Sequence, residues 1–316
     1  MRLIITGGAG FIGSHIAEKA LAKGWSVAVI DNLCSGRKEN VPAGAEFHEV
    51  DIRDKEAVDR VFAGFKPTAV THQAAQASVA ISVREPQMDA SVNIAGSLNI
   101  MTACVDNKVQ RLVFASTGGA IYGEVPEGVK AGIDFNPVPI SPYACSKFAV
   151  EKYLECFRQE HGLNYTVLRY ANVYGPRQDP HGEAGVVAIF CNRILAGEPI
   201  KVNAKREVGD EGCIRDYVYI ENVAAANIAA LEGKIPDPIL NVGTGHETTT
   251  QQLAEILQQK LGKTIDVSPS EKRAGDIERS LLNADRLVEL LGPVVGIDQG
   301  LEETGAWFSD RLAKQS

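Results

Sequence analysis

Short apolar runs, each closed by glycine or a polar residue, alternate along the chain with stretches whose apolar positions recur every three to four residues. The first run, Arg2–Thr6 (Arg-Leu-Ile-Ile-Thr), ends on two glycines; a run of this kind reads as a strand buried on both faces. Residues 11–23 then set Ile12, Ile16, Ala20 and Leu21 at helical spacing, and Ser26–Asp31 form a second buried run. Strand, helix and strand make one βαβ unit. The pattern goes on to predict a helix over 54–65 with Asp54 as its N-cap, a strand over 67–72 and a helix over 87–107. A strand follows over Arg111–Thr117, then a helix over 143–162 with Gly162 as its C-cap signal, then a strand over Tyr165–Tyr170. Regular alternation of this kind predicts an α/β fold with a doubly wound parallel sheet and helices on both faces.

After about residue 175 the rhythm changes. Helices are predicted at 184–196, 221–232, 249–262, 284–291 and 299–312, with short strands at 200–203 and 238–242. This half reads as a smaller C-terminal α/β domain for substrate, set over the carboxyl ends of the sheet, where ligands of such folds bind. The expected bounds are 1–174 for the dinucleotide-binding domain, with the chain returning to it near 215–242, and 175–316 for the second domain.

Composition narrows the function classes. The chain has 316 residues, 45% hydrophobic and 23% charged, with a formal net charge of −8. That balance is ordinary for a globular protein, and an acidic surface disfavours a nucleic-acid partner. An anionic substrate would need arginines and lysines gathered locally. The six cysteines include no Cys-x-x-Cys pair and no histidine at ligand spacing, so no metal site is expected. No stretch is long and apolar enough for a membrane span, and the expected location is the cytoplasm.

The sharpest local signal is Thr6-Gly-Gly-Ala-Gly-Phe-Ile-Gly13. Gly8, Gly10 and Gly13 satisfy the GxGxxG spacing, and Gly7, Gly10 and Gly13 satisfy GxxGxxG. The motif follows a predicted strand and opens a predicted helix. Glycines there permit a tight turn and a close approach of backbone to a pyrophosphate, with the helix N-terminus facing the anion. This marks a Rossmann-type dinucleotide site. Asp31 ends the next strand, where a carboxylate accepts from ribose hydroxyls and repels a 2′-phosphate; NAD is therefore favoured over NADP.

A second constellation is Tyr143-Ala-Cys-Ser-Lys147. Four residues apart on a helix, tyrosine and lysine share a face. A free tyrosine titrates near pH 10, so its use as a base near neutrality needs a shift of about 3 units, or about 4 kcal/mol. A neighbouring ammonium and a positive nicotinamide ring supply such a shift. Ser116 and Thr117, at the end of a central strand, offer hydroxyls to orient a sugar hydroxyl for the tyrosine, and the choice between them stays open.

Taken together these segments resemble the extended short-chain dehydrogenase/reductases, and within them the UDP-glucose 4-epimerase group. The markers run over nearly the whole chain: TGGAGFIG (6–13), Asp31-Asn32-Leu33 with Ser35-Gly36, HQAAQASV (72–79), Asn93 with Gly96, FASTGGAIYG (114–123), YACSK (143–147), LRYANVYGPRQ (168–178), RDYVYIENV (215–223) and NVGTG (241–245). The resemblance implies a tightly held NAD, contacted by Gly7, Gly10, Phe11, Ile12, Gly13, Asp31, Asn32, Asp51, Ile52, Gln73, Ala74, Ala75, Asn93, Tyr143 and Lys147. It implies Tyr143 as base and acid at the sugar C4 hydroxyl, Lys147 as its electrostatic partner, and Thr117 or Ser116 as hydrogen-bonding hydroxyl. Asn172, Arg215 and Arg273 would grip the nucleotide diphosphate of a UDP-sugar, although Arg215 also reads simply as an ion pair beside Asp216. The implied reaction oxidises C4 to a 4-keto sugar, turns the sugar over and reduces its other face. Family members commonly dimerise through two helices, and those near 87–107 and 143–162 are the candidates by analogy.

Two departures refine the resemblance. Members that eliminate water carry Asp-Glu directly after the catalytic threonine, whereas here Gly118-Gly119 follow Thr117. A glutamate usual in decarboxylases is also missing, so simple epimerisation is expected over dehydration or decarboxylation. Ser280 stands where glucose-only epimerases tend to have a bulky tyrosine, which leaves room for an N-acetyl group. The rival readings are an oxidoreductase that releases NADH and a non-catalytic NAD sensor on the same fold.

Overall fold

The computed structural model describes residues 1–180, 185–273 and 275–314. Its largest sheet has seven strands. Six are β1 (Arg2–Thr6), β2 (Ser26–Asp31), β3 (Glu46–Glu49), β4 (Ala69–His72), β5 (Arg111–Thr117) and β6 (Tyr165–Tyr170), and the seventh is Ile239–Val242. In space they run Ile239–Val242, β6, β5, β4, β1, β2, β3. β1 pairs in parallel with both β2 and β4, and the order reverses at β1. That is the doubly wound, Rossmann-type arrangement, whose ligand crevice opens at such a reversal.

The apolar runs explain the strands. Leu3, Ile4, Ile5, Val29 and Ile30 have no exposed surface, as a strand covered on both faces requires. Between β1 and β2 lies helix α1 (Phe11–Ala22). Between β3 and β4 lies helix α2 (Lys55–Phe65), whose N-cap Asp54 accepts from the Ala57 N–H. Its inward face puts Val58, Phe62 and Phe65 into one cluster with Ile100, Met101, Leu112 and Leu154. Truncating a side chain such as Phe62 to alanine there costs about 3–5 kcal/mol.

The single helix expected over 87–107 is instead a broken path. Helix Val79–Arg84 is N-capped by Ser78, helix Pro86–Ala90 follows, Ser91–Gly96 form a π-helical turn, and Ser97–Asp106 resume the α-helix. Pro86 has no N–H to continue the preceding helix. The wide turn rotates Asn93 into the interior, where it is buried. The helix Pro142–His161 starts at N-cap Ser141 and stops at Gly162, which takes a left-handed conformation. Strands Asn172–Tyr174 and Tyr217–Tyr219, a parallel pair, carried no apolar run long enough to announce them.

Contacts divide the chain into two compact units: Met1–Thr117 with Pro139–Arg169 and Val223–Leu240, and Gly118–Val138 with Tyr170–Asn222 and Asn241–Ser316. Beside the expected bounds of 1–174 and 175–316, residues 118–138 fall with the second unit and 223–240 with the first. The second unit has three small sheets and the helices Val186–Ala196, Thr250–Leu261 and Ile297–Ala313. Residue 184, the expected start of the first of these helices, lies outside the described residues. Among the described residues no helix is long and apolar enough to cross a membrane.

Candidate active site

Gly7 leaves β1 with φ +68°, and a Cβ added to it would stand 2.7 Å from the Ala74 backbone nitrogen. Only glycine accepts both constraints. A Cβ on Gly13 would collide with the Gly7 carbonyl, so this glycine closes the turn on itself. Gly10 differs: its Cβ would meet only the Gly7 carbonyl, at 3.2 Å. It N-caps α1 without a side-chain bond, and the first turn of α1 carries no acid. The N–H groups of that turn are left for an anion. Phe11 is buried against the His15 ring, and Ile12 is half-buried.

Asp31 is buried and binds this turn. Its carboxylate accepts from the Ala9 N–H at 3.0 Å and the Leu33 N–H at 2.8 Å. Burial raises its pKa, and the two N–H bonds oppose that rise. A carboxylate has about four acceptor sites, so capacity remains for a ribose. Asn32 donates to Asp51 at 2.9 Å. Asp51 is bidentate to Arg53, at 2.9 and 2.6 Å, and this pairing holds its carboxyl well below the usual range. Ile52 is buried against Gly96 of the π-helical turn.

The segment after β4 is fixed by a directed chain of hydrogen bonds. The Ala74 N–H donates to the Thr6 hydroxyl, which sits 2.6 Å from His72 Nδ1; His72 Nε2 lies 2.9 Å from Ser97 Oγ, which donates to the Asn93 carbonyl. With Ser97 donating onward, His72 must carry its proton on Nε2. Burial pushes His72 down to about 3, with the Lys147 charge adding to that, so the ring is neutral. Gln73 donates to Thr71 and Asn227, Asn93 bonds both ways to the Gln76 backbone, and Ala75 is half-buried between them in sequence.

On the Pro142–His161 helix, Ala144, Ser146, Lys147, Val150, Glu151 and Leu154 are buried. Two of those six positions are charged. Lys147 Nζ donates to the Ala115 carbonyl of β5 at 2.9 Å and lies 4.9 Å from the Phe114 ring centroid and 6.0 Å from that of Tyr143. Burial pushes this lysine down to about 8, against the pull of Asp89 and Glu151. Tyr143 is half-buried. Ser116 donates to Glu151 at 2.5 Å, and Glu151 is gripped by Arg169 at 3.0 and 2.6 Å. The Ser116 hydroxyl is thus committed inward. Thr117 makes no side-chain hydrogen bond among the described residues. Glu151, Arg169 and Asp89 carried no role in the sequence reading; the signal was a charge at a core position of a helical stripe for Glu151 and a charge inside a buried strand for Arg169.

The second unit gathers three of the four expected substrate residues. Arg215 lies between Thr248 and Ser280 in a three-stranded sheet. Ser280 donates to the Gly119 carbonyl at 3.2 Å, and a Cβ on Gly119 would stand 2.9 Å from the Asn172 side-chain oxygen. Arg215 has no carboxylate partner among the described residues. Asp216 instead accepts from the Thr244 N–H and hydroxyl and the Gly245 N–H, which disposes of the simple ion pair. Arg273 is exposed and tied to a neutral group: with its amide turned to face the guanidinium, Asn203 accepts at 3.1 and 2.5 Å.

Known proteins resemble the chain throughout. Residues 3–243 match the model of the NAD dependent epimerase/dehydratase family. A UDP-glucose 4-epimerase from Thermus thermophilus, solved with NAD, is 52% identical and superposes with a TM-score of 0.93 over 98% of this chain and 99% of that one. A UDP-glucose 4-epimerase from Thermotoga maritima, solved with UDP-glucose, is 46% identical with a TM-score of 0.92 over 99% of this chain and 100% of that one. A UDP-N-acetylglucosamine 4-epimerase from Methanobrevibacter ruminantium M1, in complex with UDP-N-acetylmuramic acid, is 34% identical with a TM-score of 0.89 over 98% of each chain. With the glycine turn, the strand order and the Tyr143–Lys147 face already in place, this match over most of the length means that the chain belongs to the NAD dependent epimerase/dehydratase family.

Proposed function

We propose that this chain is an NAD-dependent nucleotide-sugar 4-epimerase that interconverts UDP-glucose and UDP-galactose. The observation that carries the reading is local: Lys147, a buried ammonium, stands on one helical face with Tyr143 and is bound to the carbonyl of Ala115, two residues before Thr117.

NAD fits the first unit. Gly7, Gly10 and Gly13 open the α1 N-terminus for its pyrophosphate, Asp31 keeps acceptor capacity for a ribose, and Asn32, Asp51, Ile52, Gln73, Ala74 and Ala75 at the strand ends, with Asn93 of the π-helical turn, would hold the rest of it. When bound, NAD supplies a reversible acceptor for the C4 hydrogen of the sugar and its electron pair. The chain's own residues move the proton. The Tyr143 phenolate accepts the C4 hydroxyl proton as C4 is oxidised and returns it to the C4 oxygen when the ketone is reduced on its other face. Lys147 favours the phenolate through its charge. The Thr117 hydroxyl orients the C4 oxygen. Arg215, Arg273 and Asn172 hold the diphosphate. In a chain of net charge −8, Arg215 and Arg273, neither of them paired with a carboxylate among the described residues, support the reception of an anion.

Gly118-Gly119 leave no acid beside Thr117 to protonate a leaving hydroxyl, which favours epimerisation over dehydration. Ser280, small and turned onto the Gly119 carbonyl, supports acceptance of N-acetylated UDP-sugars. Tyr153 (41% exposed) on helix Pro142–His161 supports a homodimer through this helix and the one expected near 87–107.

The test is incubation of the purified protein with UDP-galactose. UDP-glucose should form with no rise in absorbance at 340 nm; accumulating NADH would mean a net oxidoreductase, and no product at all would mean a sensor. Ser280→Tyr should lose turnover of UDP-N-acetylgalactosamine selectively, and equal turnover of both sugars would reject that specificity. Light scattering should give a dimer mass for the wild type and a lower mass for Tyr153→Asp.

A further inference from the structure

The turn between Tyr143 and Lys147 also contains a buried hydroxyl. Ser146 donates its hydroxyl to Oδ2 of Asp89 at 2.6 Å. Asp89, in helix Pro86–Ala90, is fully buried. Its other oxygen accepts from Gln76 Nε2 and Asn93 Nδ2, each at 2.9 Å. All three donors are neutral. A carboxylate withdrawn from water and met only by neutral donors is costly unless a cation lies within its field.

Lys147, the next residue after Ser146 in the chain, is the buried cation whose charge interacts with that of Asp89. Among the described residues its ammonium too meets neutral groups, the Ala115 carbonyl and the Phe114 and Tyr143 rings. The groups facing it come from four elements. Tyr143 and Glu151 share its helix, Asp89 comes from Pro86–Ala90, His72 from β4, and Arg169 from β6 behind Glu151. Glu151 is committed to Arg169 in a fully desolvated pair, and His72 is neutral. Asp89 is the carboxylate left to balance the lysine. We propose that Asp89 is a positioning residue for this centre: through Ser146 it fixes the turn that carries Tyr143 and Lys147, and its charge keeps Lys147 an ammonium inside a closed core. The inference rests on the epimerase reading only for its effect on turnover.

The test is an NMR titration of the whole protein, labelled with 13C-lysine and free of substrate. The Lys147 Cε resonance is the one missing from Lys147→Met. Asp89→Asn keeps the shape of the site, since the new amide donates to Ser146 while its oxygen accepts from Gln76 and Asn93. The Lys147 midpoint should fall in this variant by about one pH unit, tenfold in proton affinity, as expected for loss of a nearby opposite charge. The alkaline limb of kcat should move down with it, with KM for the UDP-sugar little changed. Ser146→Ala keeps the charge and should leave the midpoint in place. An unmoved midpoint in folded Asp89→Asn overturns the proposal whatever turnover shows. A shifted midpoint in a protein whose wild type does not epimerise overturns only the epimerase reading. Should Asp89→Asn not fold, the wild type decides: the Asp89 Cγ resonance, assigned from its Cβ, is a carboxylate at pH 7 if Asp89 balances the lysine and a carboxylic acid if it does not.

Discussion

At position 147 a lysine stands where the period of its helix calls for an apolar side chain, and the core has been arranged to tolerate it. The proposed chemistry depends on that tolerance, because a charge held close to Tyr143 in a place without water acts at low dielectric. Tyr143→Phe should lower kcat by about 10²–10⁴-fold, the usual share of a general acid–base, with thermal stability unchanged; a steady-state assay with UDP-galactose measures it. The two neighbouring hydroxyls should separate cleanly. Thr117→Val should cost turnover with little loss of stability. Ser116→Ala should cost about 1–3 kcal/mol, because it removes a donor from the buried Glu151, while turnover changes less. His72 predicts an acid sensitivity. Its folded pKa of about 3 lies below the unfolded value of 6.5, so the unfolded chain binds the extra proton as pH falls. The folded state therefore loses about 1.4 kcal/mol per pH unit from this one group between pH 6.5 and 3. Urea unfolding at stepped pH should show a shallower acid limb in His72→Gln.

At the scale of elements, the turn from β1 into α1 is set by steric closure. Gly7→Ala places a methyl group against the Ala74 backbone at a φ of +68°. It should destabilise the fold and abolish the rise in melting temperature that NAD gives the wild type. The chain Thr6–His72–Ser97–Asn93 ties β1 and β4 to the π-helical turn, so the ends of elements far apart in sequence share one alignment. None of these bonds has a local signature. The glycines, Asp31 and the Tyr143–Lys147 pair were legible because their chemistry lies within a short window. The broken path over residues 79–106 was not, because its wide turn exists to aim Asn93 at Gln76 across the fold.

At the scale of the molecule, the expected cofactor residues and catalytic hydroxyls lie in the first compact unit and the expected diphosphate ligands in the second. The two sets should therefore separate by experiment. Saturating NAD at about 100 times its Kd should add about 2.7 kcal/mol of stability. Arg215→Ala should leave that gain intact while raising KM for the UDP-sugar; a loss of the NAD effect in this variant would refute the division of roles. What the sequence determined by itself was every feature written in neighbouring residues. These are the alternation that makes a doubly wound sheet, the glycine turn, the acid at the end of β2, and the helical face shared by Tyr143 and Lys147. Periodicity and steric demand act over a few residues and need no partner. Only the tertiary structure bound Ser116 to Glu151, gave Asp216 to Thr244 and Gly245 and not to Arg215, and set Asp89 beneath Ser146. Each of those outcomes depends on which buried donor meets which buried acceptor across tens of residues, and the energy of such a meeting exists only once water has been excluded from both.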